Sequence, residues 1–214
     1  IGIATHVAIK KLKNGVHPSM AGGINENDNG NGSLMRILPL LLILLPIKSR
    51  IERFKIVKEV SSITHAHIRS IIACFYYLEF ALYLAQKEDK VTIYDRLKSE
   101  IPAFLSQENI SQNEINRFER LLKGNIGELN VDAIQGNGYV VSTLEASIWC
   151  LLTTENYEDA VLKAVNLGDD TDTTAAVTGG LSAIRYGYKT IPKKWIAKLA
   201  RHKDIDDLIQ QVNE

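Results

Sequence analysis

Helical spacing of apolar residues recurs along almost the whole chain, while the strict alternation of a half-buried strand is hard to find. Residues 3–12 are amphipathic and stop near Asn14-Gly15, residues 51–60 make a second helical stretch, and residues 65–85 are long and mostly apolar. Ser111 with Glu114 and Ser142 with Glu145 fit a capping box, in which the hydroxyl caps the third amide and the carboxylate reaches back. Pro192 suits a first helical position, with Trp195, Ile196 and Leu199 following at core spacing. Residues 91–93 and 139–141 are the short strand candidates. The pattern predicts an all-α fold. A length of 214 residues rich in Ile, Leu and Val predicts one compact domain over residues 1–214.

Composition narrows the partners. Lys and Arg number 25, Asp and Glu also 25, and no basic block stands out, which argues against nucleic acid or any other polyanion as a partner. Cys74 and Cys150 lie in apolar helical patterns with no CxxC spacing, so they read as buried thiols in a reducing compartment, and a cytoplasmic location is expected. Residues 38–47 are the most apolar run, but Pro39 and Pro46 bracket them and they fall well short of the roughly 20 residues a bilayer span needs. They read as a core helix, and no membrane partner is expected. No secretory signal opens the chain and its first residue is Ile, so a fragment or processed piece is expected.

The run Asn166-Leu167-Gly168-Asp169-Asp170-Thr171-Asp172-Thr173-Thr174 packs three carboxylates and three hydroxyls into nine residues. Oxygen ligands of this kind suit Mg²⁺, Mn²⁺ or Ca²⁺, whereas the imidazoles and thiolates that favour zinc are missing from the stretch. Gly168 suits the left-handed end of one helix, so a new helix is expected to begin near Asp170. At such a start Asp170, Asp172 and Thr173 can converge beside the helix end. The competing reading is simple capping, but one cap needs one Asp or Thr, and neighbouring carboxylates repel unless a cation neutralises them. Farther along, Gly179, Ala183 and Gly187 recur every fourth residue, a bare stripe that marks this helix as central.

Two loops interrupt the helices. Residues 16–32 carry Gly22-Gly23 and then Asn25, Asn27, Asp28, Asn29, Gly30, Asn31 and Gly32 ahead of Ser33. Asn and Gly accept left-handed dihedrals, and exposed amides leading into a helix start form an anion cradle fit for a diphosphate; a flexible turn with Ser33 as an ordinary N-cap is the alternative. Residues 124–141 end in Gly136-Asn137-Gly138-Tyr139, where Tyr139 could stack on a base or ribose or simply pack on the core. His65 and His67, two apart on a helix, point to opposite sides and so do not form a zinc pair. His65, beside Thr64, is the better candidate to face a ligand.

Taken together, Asn29-Gly30-Asn31-Gly32-Ser33-Leu34-Met35-Arg36 with Pro39, then Thr64-His65, then Leu167-Gly168-Asp169-Asp170-Thr171-Asp172-Thr173 and Tyr186-Gly187 resemble the ADP-ribosylglycohydrolase family in its own order. The resemblance implies a compact all-α bundle with a two-metal site, usually Mg²⁺ or Mn²⁺, that binds ADP-ribose and cleaves its glycosidic bond to a protein side chain or a small compound. It implies that Asp170, Asp172 and Thr173 form part of the metal site, that Asn31, Gly32 and Ser33 hold diphosphate and ribose, and that His65 lines the pocket. Asp169 stands where many members of that family have Gly and is left out of the ligand set.

One departure stands out. The resemblance also implies a Gly-Asp-Ala-rich opening helix, a Thr-Asp-Asp-Thr motif completing the metal site, and an acidic residue just before a segment like Ile1-Gly2; none of these occurs in this sequence. The catalytic carboxylate is therefore expected to lie before Ile1, and the chain by itself is expected to be inactive. Two rivals compete: a non-catalytic ADP-ribose-binding protein, and an aspartate-nucleophile phosphatase, whose Asp-x-Asp-x-Thr signature Asp170-Thr171-Asp172-Thr173-Thr174 matches but which places it after a strand.

Overall fold

A computed structural model describes residues 2–212; Ile1, the reference point for the expected missing carboxylate, lies outside them. Twelve α-helices occur among these residues: α1 (Ile3–Lys13), α2 (Leu41–Leu44), α3 (Arg50–Ser62), α4 (Ile68–Ala85), α5 (Lys90–Gln107), α6 (Gln112–Asn116), α7 (Glu119–Leu122), α8 (Val140–Leu152), α9 (Tyr157–Val165), α10 (Thr171–Tyr186), α11 (Lys193–Ile196) and α12 (His202–Val212). Short 3-10 turns link several of them, and β pairing among the described residues is limited to two isolated bridges. The fold is all-α.

The centre is α4, packed by α3, α5, α8 and α10. By length and apolar character α4 could cross a membrane, but 83% of it is buried inside the fold, as befits a core helix that is apolar on every side. Phe54 of α3, Phe75 of α4 and Phe104 of α5 meet with ring centroids 5.0–5.4 Å apart, two of the three contacts edge-on. One continuous apolar cluster runs from Leu34 to Leu181.

Helix α10 lies against α9, α8 and α4. Close approach there rests on Gly179 and Gly180: a Cβ on Gly180 would stand 2.5 Å from Leu38 and 2.7 Å from the Tyr77 hydroxyl. Gly187, the last member of the expected stripe, is instead the C-cap, at φ +95°, where a side chain would be strained.

Several local expectations need correction. Residues 38–47 form a 3-10 turn over Leu38–Leu40 and the single turn α2; Leu41 and Leu44 face the core, while Leu42, Ile43 and Leu45 are exposed, because the two prolines leave room for only a short helix with one covered face. Helix α8 starts at Val140, so Ser142 does not cap it, and buried Glu145 lies 3.2 Å from Arg120 instead. Ser111 is the N-cap of α6, yet its hydroxyl makes no capping bond, and Glu114 binds Arg69. Of the strand candidates, residues 91–93 fall inside α5, while Tyr139 is the N-cap of α8, joined to Gly30 by an isolated antiparallel bridge, and Val140 and Val141 begin the helix. Pro192 is an N-cap rather than a first helical residue, and Leu199 is exposed. Helix α4 starts three residues later than expected, with the His67 ring accepting from the Arg69 amide, so His65 sits outside it.

Candidate functional site

The Asn/Gly-rich run is anchored at both ends by backbone pairing. On one side, Gly23 N–H donates to Thr64 O at 3.4 Å and Ala66 N–H to Gly23 O at 2.8 Å, a parallel bridge between Gly23 and His65, and Gly22 N–H donates beside it to Ser62 O at 2.9 Å. Only glycine permits this, since a Cβ on Gly22 would stand 2.3 Å from Ser62 O. On the other side, Asn31 N–H donates to Gly138 O and Val140 N–H to Asn29 O, both at 3.0 Å. Arg69, buried in α4, donates to Glu26 at 2.8 Å and to Glu114 at 2.7 and 2.8 Å, tying this run to α6. These bonds fix both ends of the run to the helical body.

The acidic run begins α10 as expected. Gly168 and Asp169 take left-handed dihedrals, at φ +84° and +54°, and Asp170 is the N-cap residue. Its carboxylate does not cap the helix. It accepts from the Asn31 side-chain amide at 2.6 Å, across 139 positions of sequence, and its backbone N–H donates to Gly136 O at 2.9 Å. Because a carboxylate only accepts, the Asn31 side chain must present its NH₂ there; the same group donates to Thr143 Oγ1 at 2.9 Å. Burial opposes ionisation of Asp170, but the hydrogen bonds its carboxylate accepts, that of the Asn31 amide foremost, outweigh it and hold the carboxyl below the usual carboxylate range.

His65 is buried, and its Nδ1 lies 2.9 Å from the Thr64 hydroxyl. Burial, reinforced by the charge of Arg36, pushes the imidazole below its ordinary range against a smaller pull from Asp28, so the ring is neutral at pH 7.

These residues surround a cleft of about 430 Å³, within the usual size of a small-molecule site. Gly30, Asn31, Gly32, His65, Asp170 and Thr173 all line it. Asp172 is exposed and outside the cleft lining, and its Oδ1 accepts from the Thr173 amide at 2.8 Å. Ser33 does not line the cleft: fully buried, its oxygen accepts from the Cys74 thiol at 3.4 Å. Tyr139 packs against the core. The amide of Asn31 is engaged by Gly138, which weakens the anion-cradle reading of that stretch.

Sequence reading missed the opening turn of α1, where Ala4 and Thr5 line the cleft, and Gly138, which lines it as well. Gly136-Asn137-Gly138 was the available signal; the glycines, rather than the neighbouring tyrosine, carry its meaning, since a Cβ on Gly136 would stand 2.6 Å from Gly168 O. No three His, Cys, Asp or Glu side chains cluster among the described residues. Two adjacent carboxylates with a hydroxyl nonetheless fit a hard divalent cation, whose charge offsets their repulsion, and they provide only part of its six or more ligands.

The sequence model of ADP-ribosylglycohydrolase matches residues 1–214. The chain is 32% identical over 214 residues to ADP-ribosylarginine hydrolase Tri1 of Serratia proteamaculans (strain 568), covering 99% of this chain and 54% of that protein. It is 27% identical over 175 residues to the ADP-ribosyl-[dinitrogen reductase] glycohydrolase of Rhodospirillum rubrum, covering 82% and 52% of the two chains. It thus spans about half the length of these curated relatives. A solved ADP-ribosylglycohydrolase-related protein complex superposes with a TM-score of 0.76 at 25% identity, covering 97% of this chain and 66% of that one.

Proposed function

The chain belongs to the ADP-ribosylglycohydrolase family, and from that premise we propose that it furnishes the ADP-ribose pocket of a hydrolase that cleaves the glycosidic bond between ADP-ribose and a protein side chain or small compound. Arginine-linked ADP-ribose is the first substrate class to test, given the names of the relatives. The reading takes residues 1–214 as one domain and places the protein in the cytoplasm, where the free buried thiols of Cys74 and Cys150 would stay reduced.

The observation that carries it is the Asn31–Asp170 bond, which brings the Asn/Gly run and the acidic helix start to one cleft. Asp170, Asp172 and Thr173 would hold divalent cations, Mg²⁺ or Mn²⁺, two in number. When bound, such ions polarise an attacking water and orient sugar hydroxyls. Asn31 holds the Asp170 carboxylate at the cleft, and Gly30 and Gly32 leave room for a ligand beside His65. The phosphatase reading loses its support, because α9 rather than a strand precedes Asp170.

We propose further that residues 1–214 alone bind without turnover. Asp170 is the single carboxylate among the residues lining the cleft, whereas glycoside hydrolysis ordinarily uses two. Calorimetry with ADP-ribose should show Mg²⁺-dependent binding to this chain. In the complete protein, Asp172→Ala should abolish Mg²⁺-dependent release of ADP-ribose from ADP-ribosylarginine, and unchanged turnover would remove these residues from the chemistry. Binding by the complete protein without any release would make it a non-catalytic binder.

A further inference from the structure

Behind His65 stands a short chain of polar groups. Arg36 Nη2 donates to Thr64 Oγ1 at 2.8 Å and to Val60 O at 3.1 Å, and Thr64 Oγ1 lies 2.9 Å from His65 Nδ1. A guanidinium has no acceptor and does not lose its proton, so the direction of the first bond is fixed: Thr64 accepts. Thr64 is buried and has one hydrogen of its own, for which His65 Nδ1 is the acceptor within reach among the described residues. Were Nδ1 to carry a proton and donate instead, the Thr64 hydrogen would be left buried without a partner, a state folded proteins avoid.

A neutral imidazole that accepts at Nδ1 carries its proton on Nε2. That edge of the ring is turned toward the glycines of the cleft: a Cβ on Gly30 would lie 3.8 Å from Nε2 and one on Gly32 3.2 Å from it. We propose that Arg36 and Thr64 are positioning residues that lock His65 in its Nε2–H tautomer, so that the cleft offers a hydrogen-bond donor there to an acceptor oxygen of the ligand. The tautomer follows from the bonds alone; the identity of the ligand, ADP-ribose, rests on the function proposed above.

Long-range ¹H–¹⁵N correlation of the imidazoles in residues 1–214 tests it, with the His65 signals identified by their loss in His65→Gln. The expected result at neutral pH is an unprotonated Nδ1 and a protonated Nε2 in the unaltered chain. Thr64→Ser should retain this pattern, while Thr64→Val and Arg36→Met should give a mixture of tautomers. An Nδ1–H or doubly protonated His65 in the unaltered chain overturns the proposal, as does an unmixed Nε2–H form in Thr64→Val.

Calorimetry supplies the second readout. Thr64→Val should weaken ADP-ribose binding about tenfold, and Thr64→Ser should restore it. A similar loss for ADP assigns the accepted oxygen to the phosphates; a loss confined to ADP-ribose assigns it to the distal ribose. No loss for either ligand, with tautomers mixed, overturns the donor role. Failure of the unaltered chain to bind ADP-ribose at all, with the Nε2–H form present, would sink the functional reading and leave the tautomer assignment standing.

Discussion

Asn31 bonds two oxygens with one amide group, and that makes it the residue on which the cleft depends most. Its NH₂ donates to Thr143 of α8 and to Asp170 at the head of α10. Asn31→Asp would put a second carboxylate where an N–H now donates at 2.6 Å. Urea unfolding without metal should show a loss of about 1–3 kcal/mol. Saturating Mg²⁺ should recover part of that loss, because a cation held only by the folded state stabilises it. A stability unaffected by Mg²⁺ would argue against a cation between these side chains. Gly32 is the second sensitive position. A Cβ there would stand 2.7 Å from His65 Cε1, and Thr64 holds that ring from behind. Gly32→Ala should therefore displace the imidazole, weakening ADP-ribose binding about tenfold while costing about 1 kcal/mol of stability.

Among the elements, α4 and α10 do different work. Helix α4 is apolar all round, yet it carries Arg69, whose buried guanidinium reaches out of the core to Glu26 and Glu114. Arg69→Met leaves Glu114 partly buried without its cation. A loss of about 2–3 kcal/mol is expected, below the range for fully buried pairs because Glu26 is exposed. Hydrogen exchange at the Asn31 amide should accelerate in that variant, since Glu26 lies in the same run; an unchanged rate would mean the β-bridges hold the run unaided. Helix α10 depends on closeness, and Gly180→Val would drive methyl groups into Leu38 and Tyr77, with an expected cost of about 1–3 kcal/mol in thermal or urea unfolding. The helical period made most of these elements readable in sequence. Their ends were less so, because capping pairs such as Ser142/Glu145 are local patterns that a long-range partner, here Arg120, can override.

For the molecule as a whole, Glu145 sets a pH dependence of stability. Burial in α8 pushes its carboxyl up to about 7, and the nearby Arg120 pulls it back only in part. A folded-state value above the unfolded 4.5 means the fold favours the protonated form. The stabilisation is complete below about pH 4.5 and is lost as the pH rises through about 7. Urea unfolding should show stability falling by about 1–3 kcal/mol between pH 5 and pH 8. Glu145→Gln should flatten that slope; an equal slope in the variant would locate the titrating group elsewhere.

The sequence by itself determined the helical class, the left-handed turn at Gly168, the helix start at Asp170 and the family resemblance. All of these are written in spacings of a few residues, within reach of one helical turn. It could not say that Ser33 lies buried against Cys74, that Tyr139 packs on the core, or that Asn31 and Asp170 meet. Those outcomes were decided only by the tertiary structure. A side chain's hydrogen-bond partner depends on where the packed helices carry it, and for Asn31 and Asp170 that placement closes a gap of 139 residues.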